Sequence, residues 1–289
     1  MRYSKNWTEY ELLDTSDGER LERWGKYILV RPDPQVIWKD MKHHKMWKNV
    51  DAVYSRSNSG GGAWKEKRLP DEWKINYEKL CLTFLIKPMG FKHTGLFPEQ
   101  AVNWEKMYDI IKSAKRPVKV LNLFAYTGGA TLACAKAGAS VVHVDASKGM
   151  TLQAKENAVL SGLENAPVRY IVDDCQKFVE REIRRNNKYD AIIMDPPSYG
   201  RGPGGEVWKL EECIDTFIKR ASCLLTEKPL FFLVNSYTTG LSPSAVGYIL
   251  NTTLKNRFGG RTELDEIGLK VAQTGEILPC GASSFYIGE

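Results

Sequence analysis

VKVLNLFAYTGG, residues 118–129, is the stretch on which the fold turns. Its first half is an apolar, strand-like run. Its second half breaks into small residues ending in Gly128 and Gly129. A buried strand that ends in a glycine turn and then enters a helix lets backbone approach a ligand, and the helix adds unpaired N–H groups. The same residues also fit a plain tight turn that needs glycine for its positive φ. Downstream, MDPPSYG at 194–200 is its partner: the first stretch reads as a nucleotide-cofactor cradle and the second as a reaction site.

Outward from this run the chain alternates. A helix is expected over 130–137, a strand over 140–144, and a helix over 148–161 with Ser147 placed to cap it. Strands follow at 168–172, 189–194 and 230–234, separated by helices over 176–185 and 210–225. Five buried β-runs with intervening helices imply a parallel sheet built of right-handed βαβ units. After a helix over 244–256, runs at 262–269 and 283–287 read as two more strands that close one edge antiparallel. The expected fold is α/β, a Rossmann-like seven-stranded doubly wound sheet spanning 91–289.

Residues 1–90 read differently. Short extended runs at 10–14 and 26–30 flank a Ser-Asp-Gly turn, and SRSNSGGG at 55–62 is too rich in glycine and serine to bury anything. Strand-like runs return at 63–69, 72–77 and 80–87, where Leu80, Leu82, Phe84 and Ile86 alternate with their neighbours. This region is expected to be a β-rich accessory part that helps bind substrate.

Composition narrows the class. The 289 residues are 43% hydrophobic and 26% charged, which is ordinary for a globular protein. The longest apolar run is short and MRYSKNWTEYE opens polar, so neither a membrane span nor a secretory signal is expected, and a cytoplasmic location is. Six scattered cysteines without a C-x-x-C pair argue for a reducing compartment and against a metal site or a disulfide framework. The net charge of +6 favours an anionic partner. Basic clusters at 39–48, 65–68 and 181–188, with Trp38, Trp47 and Trp64 interleaved, suit phosphate contact and base stacking, or equally a solvated face.

In open α/β sheets ligands bind beyond the carboxyl ends of the strands. The second strand ends in Asp145, which can accept two hydrogen bonds from a ribose diol or share a helix cap with Ser147. The third ends in Asp173-Asp174-Cys175, where Asp174 can receive an adenine amino group or cap the next helix. The fourth ends in Asp195-Pro196-Pro197-Ser198-Tyr199. Two prolines hold the backbone extended and remove two N–H donors, leaving carbonyl oxygens and a carboxylate beside an aromatic ring. Such an acceptor-rich patch suits an exocyclic amino group on a planar base stacked on Tyr199. GRGPGG at 200–205 reads as a flap whose Arg201 reaches a phosphate, or as a surface loop. A G-x-G-x-x-G fingerprint is absent, which disfavours a nicotinamide dinucleotide.

LNLFAYTGG, VDAS, DDC and DPPSYG, in that order, resemble the motifs of class I S-adenosylmethionine-dependent methyltransferases. HTGLFPEQ at 93–100 followed by LNLFAYTGG is more narrowly similar to the large-subunit (23S) ribosomal RNA methyltransferase group that includes cytosine-C5 enzymes. The resemblance implies that S-adenosylmethionine is the cofactor. It places Phe124, Ala125, Tyr126, Thr127 and Gly128 at the methionine moiety, Asp145 with Ala146 and Ser147 at the ribose, and Asp174 with Cys175 at the adenine. It sets Gln100 and Phe97 at the cofactor entrance, and Asp195, Pro196 and Tyr199 at the transferred methyl group. The resembled cytosine-C5 enzymes attack the base with a cysteine just after the fifth strand. VNSYTTG at 234–240 has none there, and Cys280 in LPCGAS is the only loop-like alternative. Methyl transfer to a base nitrogen of RNA is therefore the expected activity. A small-molecule or protein methyltransferase, a nicotinamide oxidoreductase and a non-catalytic RNA-binding protein are the rival classes.

Overall fold

A computed structural model of the chain describes residues 1–39, 42–56, 61–65, 68–90, 92–201, 207–238 and 240–289, with Arg201 described by its backbone alone. The chain divides into two compact units, Met1–Val102 with Gly268–Cys280, and Asn103–Ile267 with Gly281–Glu289.

The first unit holds β1 (Tyr10–Ser16), β2 (Glu19–Trp24), β3 (Tyr27–Pro32), β4 (Ala52–Arg56) and β5 (Gly62–Lys65) in one sheet in that order. A separate antiparallel pair is formed by β6 (Trp73–Tyr77) and β7 (Leu82–Ile86). The alternation in 80–87 does bury Leu80, Leu82, Phe84 and Ile86. Residues 55–62 are more ordered at their ends than their composition suggests: Ser55 and Arg56 finish β4, pair with Ala63 and Gly62 of β5, and so form a hairpin. Positions 57–60 lie outside the described residues, as do Asp40 and Met41 of the first basic cluster and Glu66 and Lys67 of the second. The unit also takes in residues 91–102, beyond the division read at residue 90, because Pro98 accepts the Trp7 indole N–H (3.0 Å) and Thr94 accepts the Lys87 N–H (3.0 Å).

The strand β2 was hidden in the sequence by its charges. Glu22 is fully buried, and its carboxylate accepts Arg31 Nε at 2.6 Å, Arg31 Nη2 at 2.7 Å and the Tyr10 hydroxyl at 2.8 Å. Arg20, also buried, stands 3.5 Å from Glu22 and 3.3 Å from Asp33. Burying these charges is tolerable because they pair with one another.

The second unit is a seven-stranded sheet. Its strands are β8 (Lys119–Leu123), β9 (Ser140–Asp145), β10 (Val168–Val172), β11 (Ala191–Met194), β14 (Phe231–Ser236), β15 (Arg261–Lys270) and β16 (Ile277–Ile287), the last two lying partly in the first unit. A short antiparallel hairpin, β12 (Tyr199–Arg201) with β13 (Val207–Lys209), stands apart from it. Sheet order is β10-β9-β8-β11-β14-β16-β15, with parallel pairing from β10 to β14 and antiparallel pairing of β14 with β16. The helices are α1 (Ala101–Ser113), α2 (Gly129–Lys136), α3 (Lys148–Leu160), α4 (Cys175–Arg184), α5 (Leu210–Ser222), α6 (Pro243–Leu250) and a last turn, α7 (Asn256–Phe258). Ser147 caps α3 as expected, its hydroxyl accepting the Met150 N–H. Helix α1 was not anticipated, although Ala101, Trp104, Met107 and Ile111 are all buried at helical spacing.

From β8 the order runs one way to β9 and β10 and the other way to β11 and β14. The switch point therefore opens a crevice at the carboxyl ends of β8 and β11, where a doubly wound sheet takes its ligand.

Candidate active site

The turn after β8 is conformationally unusual. Phe124 (φ 54°), Tyr126 (φ 51°) and Gly128 (φ 89°) all occupy the left-handed region, a cost of about 1–3 kcal/mol for each non-glycine residue. Hydrogen bonds from neighbouring strand ends hold the shape. The N–H of Phe124 donates to Cys175 Sγ (3.3 Å), that of Ala125 to the Val144 carbonyl (3.0 Å), and that of Tyr126 to Asp145 Oδ2 (2.8 Å). Asn157 Nδ2 fixes the Thr127 carbonyl at 2.9 Å. Gly128 could not be replaced cheaply, since a Cβ there would stand 3.0 Å from the Ala154 Cβ on α3. Gly128 is also the N-cap of α2 and offers no side chain to it, so the positive end of that helix opens at the turn.

Beneath the turn, Asn122 Nδ2 donates to Thr131 Oγ1 (2.9 Å), which in turn stands 2.9 Å from His143 Nδ1. Burial holds His143 neutral, its pKa lowered to about 3. Because the unfolded chain takes up this proton near 6.5, the neutral ring stabilises the fold above that pH, and the contribution falls as pH drops from 6.5 toward 3. The urea midpoint of the wild type should therefore decline more between pH 7 and pH 5 than that of His143→Gln. Parallel declines would remove this group from the account.

Asp145 ends β9. Its Oδ1 accepts the Ser147 N–H (2.8 Å) and its Oδ2 the Tyr126 N–H (2.8 Å), which leaves each oxygen one further acceptor position. Burial raises its pKa against the pull of those two N–H groups. Ala146 and Ser147 follow as exposed residues. Asp174 caps α4, its Oδ1 accepting the Lys177 N–H at 2.8 Å, so the capping role read for it is realised. Asp173 is paired with Arg181. Cys175 is 3% exposed and burial pushes its thiol pKa up, so its side chain is a neutral prop under the Phe124 turn.

At the end of β11 the Asp195 N–H reaches the Leu123 carbonyl (3.4 Å), which brings the DPPSY segment beside the cofactor-side turn. Pro196 is buried, while Tyr199 is 52% exposed on β12. Ser198 accepts the Thr238 hydroxyl at 2.7 Å and, through its carbonyl, the Leu210 N–H at 3.0 Å. Trp208, which the sequence reading passed over, donates its indole N–H to the Pro197 carbonyl at 2.7 Å. Its one sequence signal is an aromatic residue directly before an amphipathic helix. Direct bonds thus tie Phe124 to Cys175, Tyr126 to Asp145, and Asp195 to Leu123 at the end of β8. Gln100, 6% exposed, and Phe97 lie around the turn Pro98–Gln100 in the first unit, where Phe97 packs edge-on to His93. Of the flap or surface loop read at 200–205, Gly200 and the Arg201 backbone lie in β12, while positions 202–205 and the Arg201 side chain lie outside the described residues. Among the described residues no His, Cys, Asp and Glu group could hold a metal ion, and no helix is long and apolar enough to cross a membrane.

Residues 55–225 match the family model for S-adenosylmethionine-dependent methyltransferases. A crystal structure of a SAM-dependent methyltransferase from Agrobacterium tumefaciens superposes with a TM-score of 0.92 at 36% identity, covering 99% of this chain and 93% of that one. The chain belongs to the S-adenosylmethionine-dependent methyltransferases. The methyltransferase is also 36% identical over 132 residues to the ribosomal RNA large subunit methyltransferase K/L of Shewanella frigidimarina, a match covering 45% of this chain and 18% of that one. It is 36% identical over 107 residues to the ribosomal RNA large subunit methyltransferase I of Aeromonas salmonicida, covering 37% and 26%. The chain therefore spans only a fraction of these curated relatives.

The residues present fit the cofactor. A partly desolvated carboxylate with an open acceptor position on each oxygen suits a vicinal diol, and an uncapped helix N-terminus beside a strained turn suits the carboxylate of a methionine group.

Proposed function

We propose that this methyltransferase modifies a base in RNA, ribosomal RNA being favoured, at an exocyclic amino nitrogen. S-adenosylmethionine supplies the electrophilic methyl group. Phe124, Ala125, Tyr126, Thr127 and Gly128 hold its methionine portion, and Asp145, with Ala146 and Ser147, holds its ribose. Asp174 and the Cys175 backbone lie toward the adenine. The Asp195 carboxylate and the Pro196 carbonyl accept hydrogen bonds from the target amino group, aligning its lone pair, while the ring of Tyr199 stacks on the base. The rate then comes from proximity and orientation.

The observation that carries this reading is the acceptor set at the end of β11 beside a half-exposed tyrosine ring. Methylation of cytosine C5 needs a thiolate near the base, whereas Cys175, the one cysteine at these strand ends among the described residues, is neutral and buried. The names of the curated relatives support RNA as the substrate class, as do the basic and aromatic side chains of the first unit, where Lys42 lies 4.3 Å over the Trp47 ring. The enzyme should transfer labelled methyl from S-adenosylmethionine to total RNA, and ribonuclease treatment of the substrate should abolish it. Transfer that survives ribonuclease would point to a protein or small-molecule substrate. On the cofactor side, Asp145→Ala should weaken S-adenosylhomocysteine binding about tenfold or more in calorimetry, the loss of two hydrogen bonds. Unchanged affinity would refute the ribose assignment.

A further inference from the structure

We propose that Trp208 is a positioning residue that couples the cofactor side of the crevice to the strand carrying Tyr199, so that a ligand on either side favours binding on the other. The proposal rests on the functional reading above and deepens it.

The DPP segment has a particular weakness. Pro196 and Pro197 have no N–H, so beyond the Asp195 N–H the backbone there can be held only through its carbonyls. Trp208 Nε1 holds one of these, at 2.7 Å from the Pro197 oxygen. The bond also occupies the Pro197 carbonyl as an acceptor.

The same side chain reaches the other wall. The Trp208 ring lies 5.6 Å from that of Phe124 and 5.7 Å from that of Phe217, and Phe124 and Phe217 are 5.8 Å apart, so the three rings close a triangle. Phe124 sits in the strained turn at φ 54°, where it has little freedom to shift alone. In β12–β13 the partner of Trp208 is Gly200, next to Tyr199, and β13 runs straight into α5. One indole is therefore shared by the cofactor turn, the proline segment and the substrate-stacking strand. A ligand that fixes Phe124 must stabilise β12, and by linkage a ligand on Tyr199 must favour the cofactor-bound turn.

S-adenosylhomocysteine alone suffices as the probe. In the wild type it should slow amide exchange at Gly200 by about fivefold, the factor expected of one aromatic pair. In Trp208→Ala that protection should vanish while the ligand still protects Leu123 and Val144 at the strand ends. Trp208→Phe keeps a ring against Phe124 and loses only the indole N–H, so it should retain the protection of Gly200 and the ligand affinity within about twofold, while kcat falls about fivefold. A role in packing alone would lower thermal stability and move affinity and kcat together. Ligand protection of Gly200 that persists in Trp208→Ala, or an unchanged kcat in Trp208→Phe, would overturn the coupling. Failure of RNA to accept methyl from the wild type would refute the substrate reading alone, because the exchange measurement needs no RNA.

Discussion

Asp195→Asn is expected to lower methyl transfer by about 100-fold or more while leaving S-adenosylhomocysteine affinity within about twofold. The substitution keeps the size of the side chain but replaces one acceptor oxygen with a donor NH2, which meets the target amino group donor to donor. The backbone of the segment is set by Pro196 and by the bond from the Asp195 N–H to the Leu123 carbonyl, so asparagine should be held where aspartate is. Asp195→Ala should behave alike in kcat. Single-turnover transfer with saturating cofactor separates this from a binding defect. Wild-type transfer in either variant would remove Asp195 from the reaction.

The second large effect is on stability and lies in the first unit. Glu22→Ala leaves the buried Arg31 and Arg20 guanidinium groups without their shared carboxylate, and losing one partner of such a group costs about 3–5 kcal/mol. Urea unfolding should show it directly, and Glu22→Gln should cost less because its amide oxygen still accepts one donor. The acid limb gives the same information. Burial pushes the Glu22 pKa up, but Arg20 and Arg31 outweigh it and hold it at about 2. Its stabilisation is therefore complete above the unfolded value of 4.5 and is lost as pH falls through about 2. A Glu22→Ala protein with wild-type stability at neutral pH would mean that the arginines find other partners.

The buried charge cluster also explains what sequence reading can and cannot see. Strands of the catalytic sheet were legible because burial on both faces leaves mostly apolar runs, as in KVLNL of β8 and FFLVNS of β14. Strand β2 was not, since ERLERW reads as polar and the partners of its buried charges include Arg31 and Asp33 on other segments. Helix α1 was legible in principle from the spacing of Trp104, Met107 and Ile111, but Pro98 and the glycines before it draw attention to a turn.

At the site, glycines and acids at strand ends stand out because the α/β rule says where to look. The bonds made by Cys175 and Trp208 do not, because each acts across the chain: one accepts the Phe124 N–H, the other donates to the Pro197 carbonyl. Asp174 shows the converse. Its capping bond is local and was foreseeable, and that bond occupies one of the oxygens considered for adenine.

The most direct test is mass spectrometry of nucleosides from ribosomal RNA incubated with the purified enzyme and S-adenosylmethionine. The account predicts a methyl group on an exocyclic amino nitrogen, absent with Asp195→Asn. A methyl group on carbon 5 of cytosine, or no methylated nucleoside above the Asp195→Asn control, would contradict it.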